Sequence, residues 1–177
     1  QRPYARPAAE VAAWQRDGER GIGLAEVVRR IQPTVLVGSS GIPGAFSESI
    51  VREMAKGTPR PIILPLSNPT ALAEAVPADL VRWSDGKALI ATGSPFDSVT
   101  YGGVTYTIAQ ANNAMLFPGL GLGTIVIRSG QISDGMFVAA ARAIAGMVDA
   151  SHLGASILPP VANARDVRRR ITERHRQ

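Results

Sequence analysis

Three short runs of apolar and β-branched residues punctuate the first half of the chain, at 34–38, 61–66 and 88–93. Each run is continuously apolar, a pattern typical of strands that are buried on both faces. Between and after the first two runs, residues 45–55 and 77–84 have the spacing of amphipathic helices. Strands that alternate with helices predict an α/β fold with a parallel sheet and flanking helices.

Shorter patterns predict the elements around this core. Helical spacing recurs at 23–32 and at 71–75, and Pro33 is expected to end the first of these helices. The adjacent glycines Gly102 and Gly103 predict a turn or small hairpin within 100–107. These segments complete the sheet-containing part of the chain.

The last third of the chain is predicted to be helical. Residues 112–128 are expected to form a helix that bends at Pro118, and a stronger helix is expected at 133–148. Ser133 is the expected N-cap of the stronger helix. That helix carries an apolar stripe: Met136, Ala140, Ile144 and Val148.

The pattern divides the chain into three parts. Residues 1–33 form a lead-in with a helix, 34–150 form an α/β unit, and 151–177 form a linker and a basic helix. Much of the net charge of +5 lies in the basic helix. Its Val167 and Ile171 are spaced i, i+4, which favours a solvated helix with one apolar side over a nucleic-acid-binding element.

Composition narrows the classes of protein. The 177 residues are 45% hydrophobic, which suits a domain with a real core, and cysteine is absent. No apolar stretch is long enough for a membrane span, and the beginning of the chain does not have the pattern of a signal peptide. The chain does not begin with Met, so it is expected to be a processed chain or a fragment. We predict a cytoplasmic protein with neither a membrane nor a nucleic acid as its partner.

Small polar turns follow each of the three predicted strands. They are Gly38-Ser39-Ser40-Gly41, Ser67-Asn68-Pro69-Thr70 and Gly93-Ser94-Pro95. In an open parallel sheet, ligands bind beyond the carboxyl ends of the strands, and small residues allow the backbone to approach them closely. Serine, asparagine, glycine and proline also suit ordinary turns, so the two interpretations stand side by side.

The glycines at 119, 121 and 123 superficially resemble a phosphate-binding loop. The G-x-G-x-x-G spacing fails at Thr124 and at Val126, and helical sequence precedes the glycines where a strand is required. We therefore expect these glycines to allow close packing. The neighbouring amides of Asn112 and Asn113 are better candidates, either as helix caps or as neutral donors to a carboxylate.

Several motifs together resemble the malic enzyme family. They are PTVLVGSSGIPGAF, RPIILPLSNPT, ALIATGSPF, QANNAMLFPGLGLG, SDGMFVAAARAIA and LPPVANARDV, and they extend over nearly the whole chain. The resemblance implies that residues 34–150 are the C-terminal part of a Rossmann-like NAD(P)-binding domain. It also implies oxidation of (S)-malate with NAD or NADP, followed by decarboxylation to pyruvate and CO₂ with Mg²⁺ or Mn²⁺.

The resemblance also implies roles for individual residues. Asn68, Asn112 and Asn113 would contact the substrate; the cofactor would be lined by Gly38, Ser39, Ser40, Gly41, Ser67, Asn68, Gly93 and Asn113. The catalytic tyrosine and lysine and the acidic metal ligands of the family would lie upstream, so this chain is predicted to contain no catalytic or metal-binding residue. It is therefore expected to be inactive alone.

The same resemblance gives expectations about cofactor and partners. Gln1 falls where some NADP-dependent members carry a lysine, which favours NAD, although Arg2 or Arg6 could meet a 2′-phosphate. The expected partners are malate and pyruvate, the missing N-terminal part of the same protein, and further copies in a homo-oligomer. The alternative is a non-catalytic nucleotide-binding or regulatory module.

Overall fold

The computed structural model describes residues 5–18 and 21–174. Its main sheet contains four parallel strands in the order β1-β2-β3-β6. Their bounds are Val35–Gly38 (β1), Ile62–Pro65 (β2), Leu89–Thr92 (β3) and Ala109–Gln110 (β6). The three apolar runs therefore form adjacent parallel strands, and the predicted α/β class with a Rossmann-like sheet is confirmed.

Helices pack against this sheet and create the first hydrophobic cluster. The helices are α1 (Leu24–Ile31), α2 (Glu48–Gly57) and α3 (Pro77–Trp83). The largest fully buried apolar side chains of the cluster are Val28, Val51, Met54, Ile63, Leu80 and Val81. Between β2 and α3, the predicted helix at 71–75 is instead a 3₁₀ turn over Thr70–Leu72, because Pro77 begins a new helix immediately afterwards.

The burial of β1, the outermost strand of the described sheet, differs from the sequence expectation. On β1, Leu36 is buried, whereas Val35 is 45% exposed and Val37 is 56% exposed. The expectation that each strand is buried on both faces is therefore wrong for β1. The physical reason is that β1 is the edge strand of the described sheet, and its second face has no covering layer among the described residues.

A small hairpin follows β3 and leads into the fourth strand of the main sheet. Strands β4 (Val99–Tyr101) and β5 (Val104–Tyr106) pair antiparallel around Gly102 and Gly103, as predicted. The following β6 was not predicted. It has only two residues, too few to show a periodicity, and it is defined by its pairing with β3.

Three helices at the end of the chain form a second hydrophobic cluster. They are α4 (Phe117–Val126), α5 (Asp134–Ala145) and α6 (Ala164–Arg174). Val167 and Ile171 of α6 are fully buried in this cluster, so the predicted apolar side of the basic helix is confirmed. The predicted N-cap is also confirmed, because the Ser133 hydroxyl accepts a hydrogen bond from the Met136 N–H.

Helix α4 explains part of the glycine run. A Cβ on Gly119 would lie 2.8 Å from the Cβ of Ile171, so the absence of a side chain allows α4 to approach α6 closely. The expected bend at Pro118 is wrong. Instead, a 3₁₀ turn over Asn113–Met115 precedes α4, and Pro118 occupies the first turn of that helix, where its missing N–H needs no partner.

Within the described ranges, no helix combines the length and the apolar character required to cross a membrane.

Candidate active site at the carboxyl ends of the strands

The four parallel strands end at nearly the same level. The register pairs Gly38 of β1 with Pro65 of β2 and Thr92 of β3 with Gln110 of β6. The Gly93 N–H also donates to the Pro65 carbonyl oxygen, which aligns the ends of β2 and β3. Because neighbouring strands are about 5 Å apart, the polar turns after the four strands share one edge of the sheet.

A buried carboxylate connects the first two of these turns. Glu74 is fully buried, and its Oε1 accepts hydrogen bonds from the Ser40 N–H at 2.7 Å and the Ser40 hydroxyl at 2.9 Å. The Ser67 hydroxyl donates to the same oxygen at 2.6 Å, and the Ser67 N–H donates to Oε2 at 3.4 Å. One side chain therefore links the turn after β1 to the turn after β2.

A second connection runs directly between the same turns. The Gly41 N–H donates to the Ser67 hydroxyl oxygen at 2.8 Å, and that hydroxyl donates in turn to Glu74. The Glu74 backbone carbonyl also accepts from the Phe46 N–H at 3.1 Å. Glu74 thus holds the region through both its side chain and its backbone.

These hydrogen bonds keep the carboxylate ionised. Burial raises the pKa of Glu74, but the hydrogen bonds from Ser67, from its own backbone N–H and from Ser40 outweigh burial and lower the pKa to about 2. The N–H groups of Ser40 and Gly41 are occupied inside the protein, and a negative charge lies behind them. The turn that contains Ser40 and Gly41 therefore favours a neutral ligand group, such as a hydroxyl or an amide, over a phosphate.

Two of the predicted site glycines are required by close packing. A Cβ on Gly38 would lie 2.6 Å from the Glu74 carboxyl carbon and 2.7 Å from the Phe46 ring. A Cβ on Gly93 would lie 2.1 Å from the Leu66 carbonyl oxygen. Both glycines therefore allow neighbouring turns to approach each other, while Ser39 is exposed at the surface of the first turn.

Asn68 is exposed at this edge and its amide is held in one orientation. Its Oδ1 accepts from the Ser94 hydroxyl at 2.6 Å, and its Nδ2 donates to the Leu66 carbonyl at 3.3 Å. An amide nitrogen carries two hydrogens, so one N–H of Asn68 is left for a ligand. The Asn68–Pro69 peptide bond is cis.

The two adjacent asparagines follow β6 and divide the two roles that the sequence left open. The Asn112 Oδ1 accepts from the Ala114 N–H at 2.9 Å and caps the 3₁₀ turn, which leaves its Nδ2 hydrogens available. Asn113 is exposed, and its side chain makes no hydrogen bond to the residues that the structure describes. Gln110 connects β6 to β3 by donating from Nε2 to the Gly93 carbonyl at 3.3 Å.

Sequence reasoning assigned no individual role to three residues that organise this site. Glu74, Ser94 and Gln110 each join two strand ends, as described above. Glu74 lies in a stretch that resembles an amphipathic helix, and nothing local indicates that its carboxylate turns inward. A signal was present for Ser94, which follows the third strand directly in the predicted turn.

Other expectations concern metals and the choice between NAD and NADP. Among the described residues, no three histidine, cysteine, aspartate or glutamate side chains group together to hold a metal ion. The residues here therefore do not fit a metal centre. Gln1 and Arg2 lie outside the described residues, while Arg6 forms an exposed ion pair with Glu10 at 3.2 Å.

Comparison with known proteins identifies the family. A family model described as "Malic enzyme, NAD binding domain" matches residues 1–175. The chain belongs to the malic enzyme family. Relatives of this malic enzyme domain include NAD-dependent malic enzyme 3 of Bacillus subtilis, which is 60% identical over 94% of the chain, and the malolactic enzyme of Leuconostoc mesenteroides, which is 46% identical over 98%.

A solved malic enzyme from Pyrococcus horikoshii shares the fold. It superposes with a TM-score of 0.64 at 26% sequence identity and covers 86% of this chain. The malic enzyme domain described here spans only 30% of that structure. It likewise spans 30% and 31% of the lengths of the Bacillus and Leuconostoc relatives.

Proposed function

We propose that this chain is the C-terminal part of the NAD-binding domain of a malic enzyme that converts (S)-malate to pyruvate and CO₂ with reduction of NAD. The observation that carries the proposal is the alignment of the strand ends described above. It brings the amides of Asn68, Asn112 and Asn113 to the same side of the sheet as the turns that are built from small residues. The names of the relatives at 60%, 51% and 50% identity include "NAD-dependent", which supports NAD over NADP.

The amides are proposed to bind the substrate. The oxygen atoms of Asn68 and Asn112 are engaged by Ser94 and by the Ala114 N–H, so each side chain keeps at least one Nδ2 hydrogen for a ligand. N–H donors match the carboxylate and hydroxyl oxygens of malate, and neutral amides hold a dicarboxylate without adding charge to the site. Asn113 is exposed and adds a third amide at the same edge.

The turns are proposed to bind the cofactor. Gly38, Ser39, Ser40 and Gly41 form one wall, and Ser67, Asn68, Gly93 and Asn113 continue it along the edge. Because Glu74 lies beneath the first two turns, we assign them to neutral parts of NAD near the nicotinamide and not to its phosphates. The chemistry that bound NAD would supply is hydride acceptance, and the amides of this chain would orient malate for the transfer from its C2 atom.

The catalytic acid and base and the ligands of Mg²⁺ or Mn²⁺ are proposed to lie upstream in the same polypeptide. Two observations support a further part of the protein: the chain spans about 30% of its relatives, and β1 exposes Val35 and Val37 on one face. This chain alone is accordingly proposed to be inactive. Cytoplasmic location and a homo-oligomeric state remain predictions from the sequence.

Kinetics of the malic enzyme that contains this chain test the proposal. With Mn²⁺, malate should drive NADH and pyruvate formation, and NADP should be the poorer cofactor. Lactate formed without net reduction of NAD would instead favour a malolactic reaction. If neither product forms with either cofactor, the non-catalytic nucleotide-binding or regulatory module becomes the better explanation.

A variant pair tests the amide assignment. Asn113→Ala should raise KM for malate by at least about tenfold, because it removes one hydrogen bond to a charged group, worth about 1.5–3 kcal/mol. Asn163→Ala is the matched control, because Asn163 is also exposed but lies in the 3₁₀ turn Val161–Asn163 before α6. Equal KM values for malate in the two variants would remove Asn113 from the substrate site.

A further inference from the structure

Glu74 is a fully buried ionisable residue, and the proposed function gives it no contact with substrate or cofactor. Its side chain has no solvent-accessible surface, and among the described residues no lysine, arginine or histidine pairs with its carboxylate. Buried carboxylates are rare unless they are paired or hydrogen-bonded. Four hydrogen bonds from two different turns compensate this one.

The identity of the donors indicates what the carboxylate does. All four belong to Ser40 and Ser67, which lie in separate turns of the proposed cofactor wall, one after β1 and the other after β2. Hydrogen bonds to a charged acceptor are stronger than those between neutral groups. The carboxylate therefore fixes how far apart these turns lie and which way their N–H groups point.

Gly38 shows that the arrangement is built around this side chain. Any side chain at residue 38 would overlap both the Cγ and the carboxyl carbon of Glu74, at 2.8 Å and 2.6 Å from an added Cβ. The end of β1 thus leaves space for the carboxylate to pass beneath the turn. The hydrogen bond from the Gly41 N–H to the Ser67 hydroxyl then depends on a hydroxyl that Glu74 itself orients.

We propose that Glu74 is a positioning residue that holds the Ser40 and Ser67 turns in the geometry required to bind NAD. This inference rests on the proposed function only for the identity of the ligand. It assigns Glu74 no contact with substrate or cofactor. Its effect reaches the ligand through the two turns that it joins.

Glu74→Gln in the malic enzyme that contains this chain is the first test. Glutamine keeps the size and one acceptor oxygen but removes the charge and turns an N–H toward donors. KM for NAD should rise by about tenfold, while kcat changes less, because neutral hydrogen bonds hold the turns more weakly. A folded Glu74→Gln protein with unchanged KM for NAD would overturn the proposal.

The matched control is Glu48→Gln. Glu48 is in the first turn of α2, is 53% exposed and pairs with Arg52 at 2.7 Å, so the same chemical change is made at the surface. KM for NAD should change by less than about twofold in this variant, since exposed ion pairs contribute little. An equal rise in both variants would show that loss of charge anywhere in the domain has this effect and would overturn the proposal.

Amide hydrogen exchange without NAD separates this inference from the proposed function. In Glu74→Gln, the N–H groups of Ser40, Gly41 and Ser67 should exchange about tenfold faster, while α5 keeps its protection. Unchanged exchange overturns the positioning role even if the protein oxidises malate. If the wild-type protein does not oxidise malate, the proposed function is refuted. Faster exchange in Glu74→Gln would still support the positioning role in that case.

A shorter carboxylate provides the test if Glu74→Gln fails to fold. Glu74→Asp keeps the charge but withdraws it by one methylene, so it cannot reach Ser40 and Ser67 together. The same rise in KM for NAD and the same faster exchange at Ser40 are expected. Wild-type values for both measurements in Glu74→Asp would overturn the proposal.

Discussion

Substitution of Gly93 by alanine tests whether this glycine is required by strand packing or by the cofactor. The added methyl carbon would lie 2.1 Å from the Leu66 carbonyl oxygen and 2.9 Å from the Asn68 amide nitrogen. Ordinary contact begins at 3.4 Å, so the methyl group would overlap the carbonyl by about 1.3 Å.

The size of the loss in the free energy of unfolding depends on which group the new methyl displaces. The Leu66 carbonyl belongs to the backbone at the end of the neighbouring strand, and backbone cannot rotate away as a side chain can. We therefore expect Gly93→Ala to lower the free energy of unfolding by about 3 kcal/mol, the upper end of the range for overpacked sites. The same displacement should move Asn68 and weaken substrate binding.

Urea unfolding in the absence of NAD is the assay, with Gly121→Ala as the matched control. Gly121 lies in α4, and an added Cβ there meets nothing within 4 Å. Alanine at residue 121 should stabilise the protein by about 0.5–1 kcal/mol, because it favours a helix more than glycine does. If Gly93→Ala keeps the original free energy of unfolding and only raises KM for NAD, the packing argument is wrong.

Three further predictions concern the second hydrophobic cluster, a helix cap and the buried carboxylates. Ile171→Ala should lower the free energy of unfolding by about 2–5 kcal/mol, because Ile171 is fully buried; a change below about 1 kcal/mol in urea unfolding would contradict its place in the core. Ser133→Ala should destabilise by about 1 kcal/mol, since it removes the acceptor of the Met136 N–H; faster amide exchange in the first turn of α5 would be the direct sign, and unchanged exchange would count against it. Hydrogen bonds from the Gln15 N–H and from the side chains of Arg29 and Arg30 lower the pKa of Glu26 to about 2, and those from Ser67 and Ser40 lower the pKa of Glu74 to about 2. Both lie below the ordinary value of 4.5, so their stabilisation is complete above that value and is lost as the pH falls toward 2; urea midpoints between neutral and acidic pH should fall less steeply in Glu74→Gln, and parallel curves would contradict the assignment.

Local patterns along the chain were sufficient to predict much of the fold. The three apolar runs coincide with β1, β2 and β3 to within one residue at each end, because short β-branched apolar runs that are bounded by turn residues are typical of strands in a parallel sheet. Ser133 and the i, i+4 pair Val167 and Ile171 were also predicted, since capping and helical periodicity depend on neighbours a few residues away. The small polar turns directly after these strands indicated that the candidate site lies at the carboxyl ends of the strands.

The sequence by itself therefore determined the elements, the family resemblance and the edge of the sheet where ligands would bind. Only the tertiary structure decided that β6 adds a fourth strand, that β1 leaves one face exposed and that Glu74 turns inward to join two turns. The physical reason is the sequence separation of the interacting residues. Periodicity and capping depend on residues that are close together along the chain. A buried carboxylate is stable only when donors from distant segments meet it, and that meeting is a property of the folded chain.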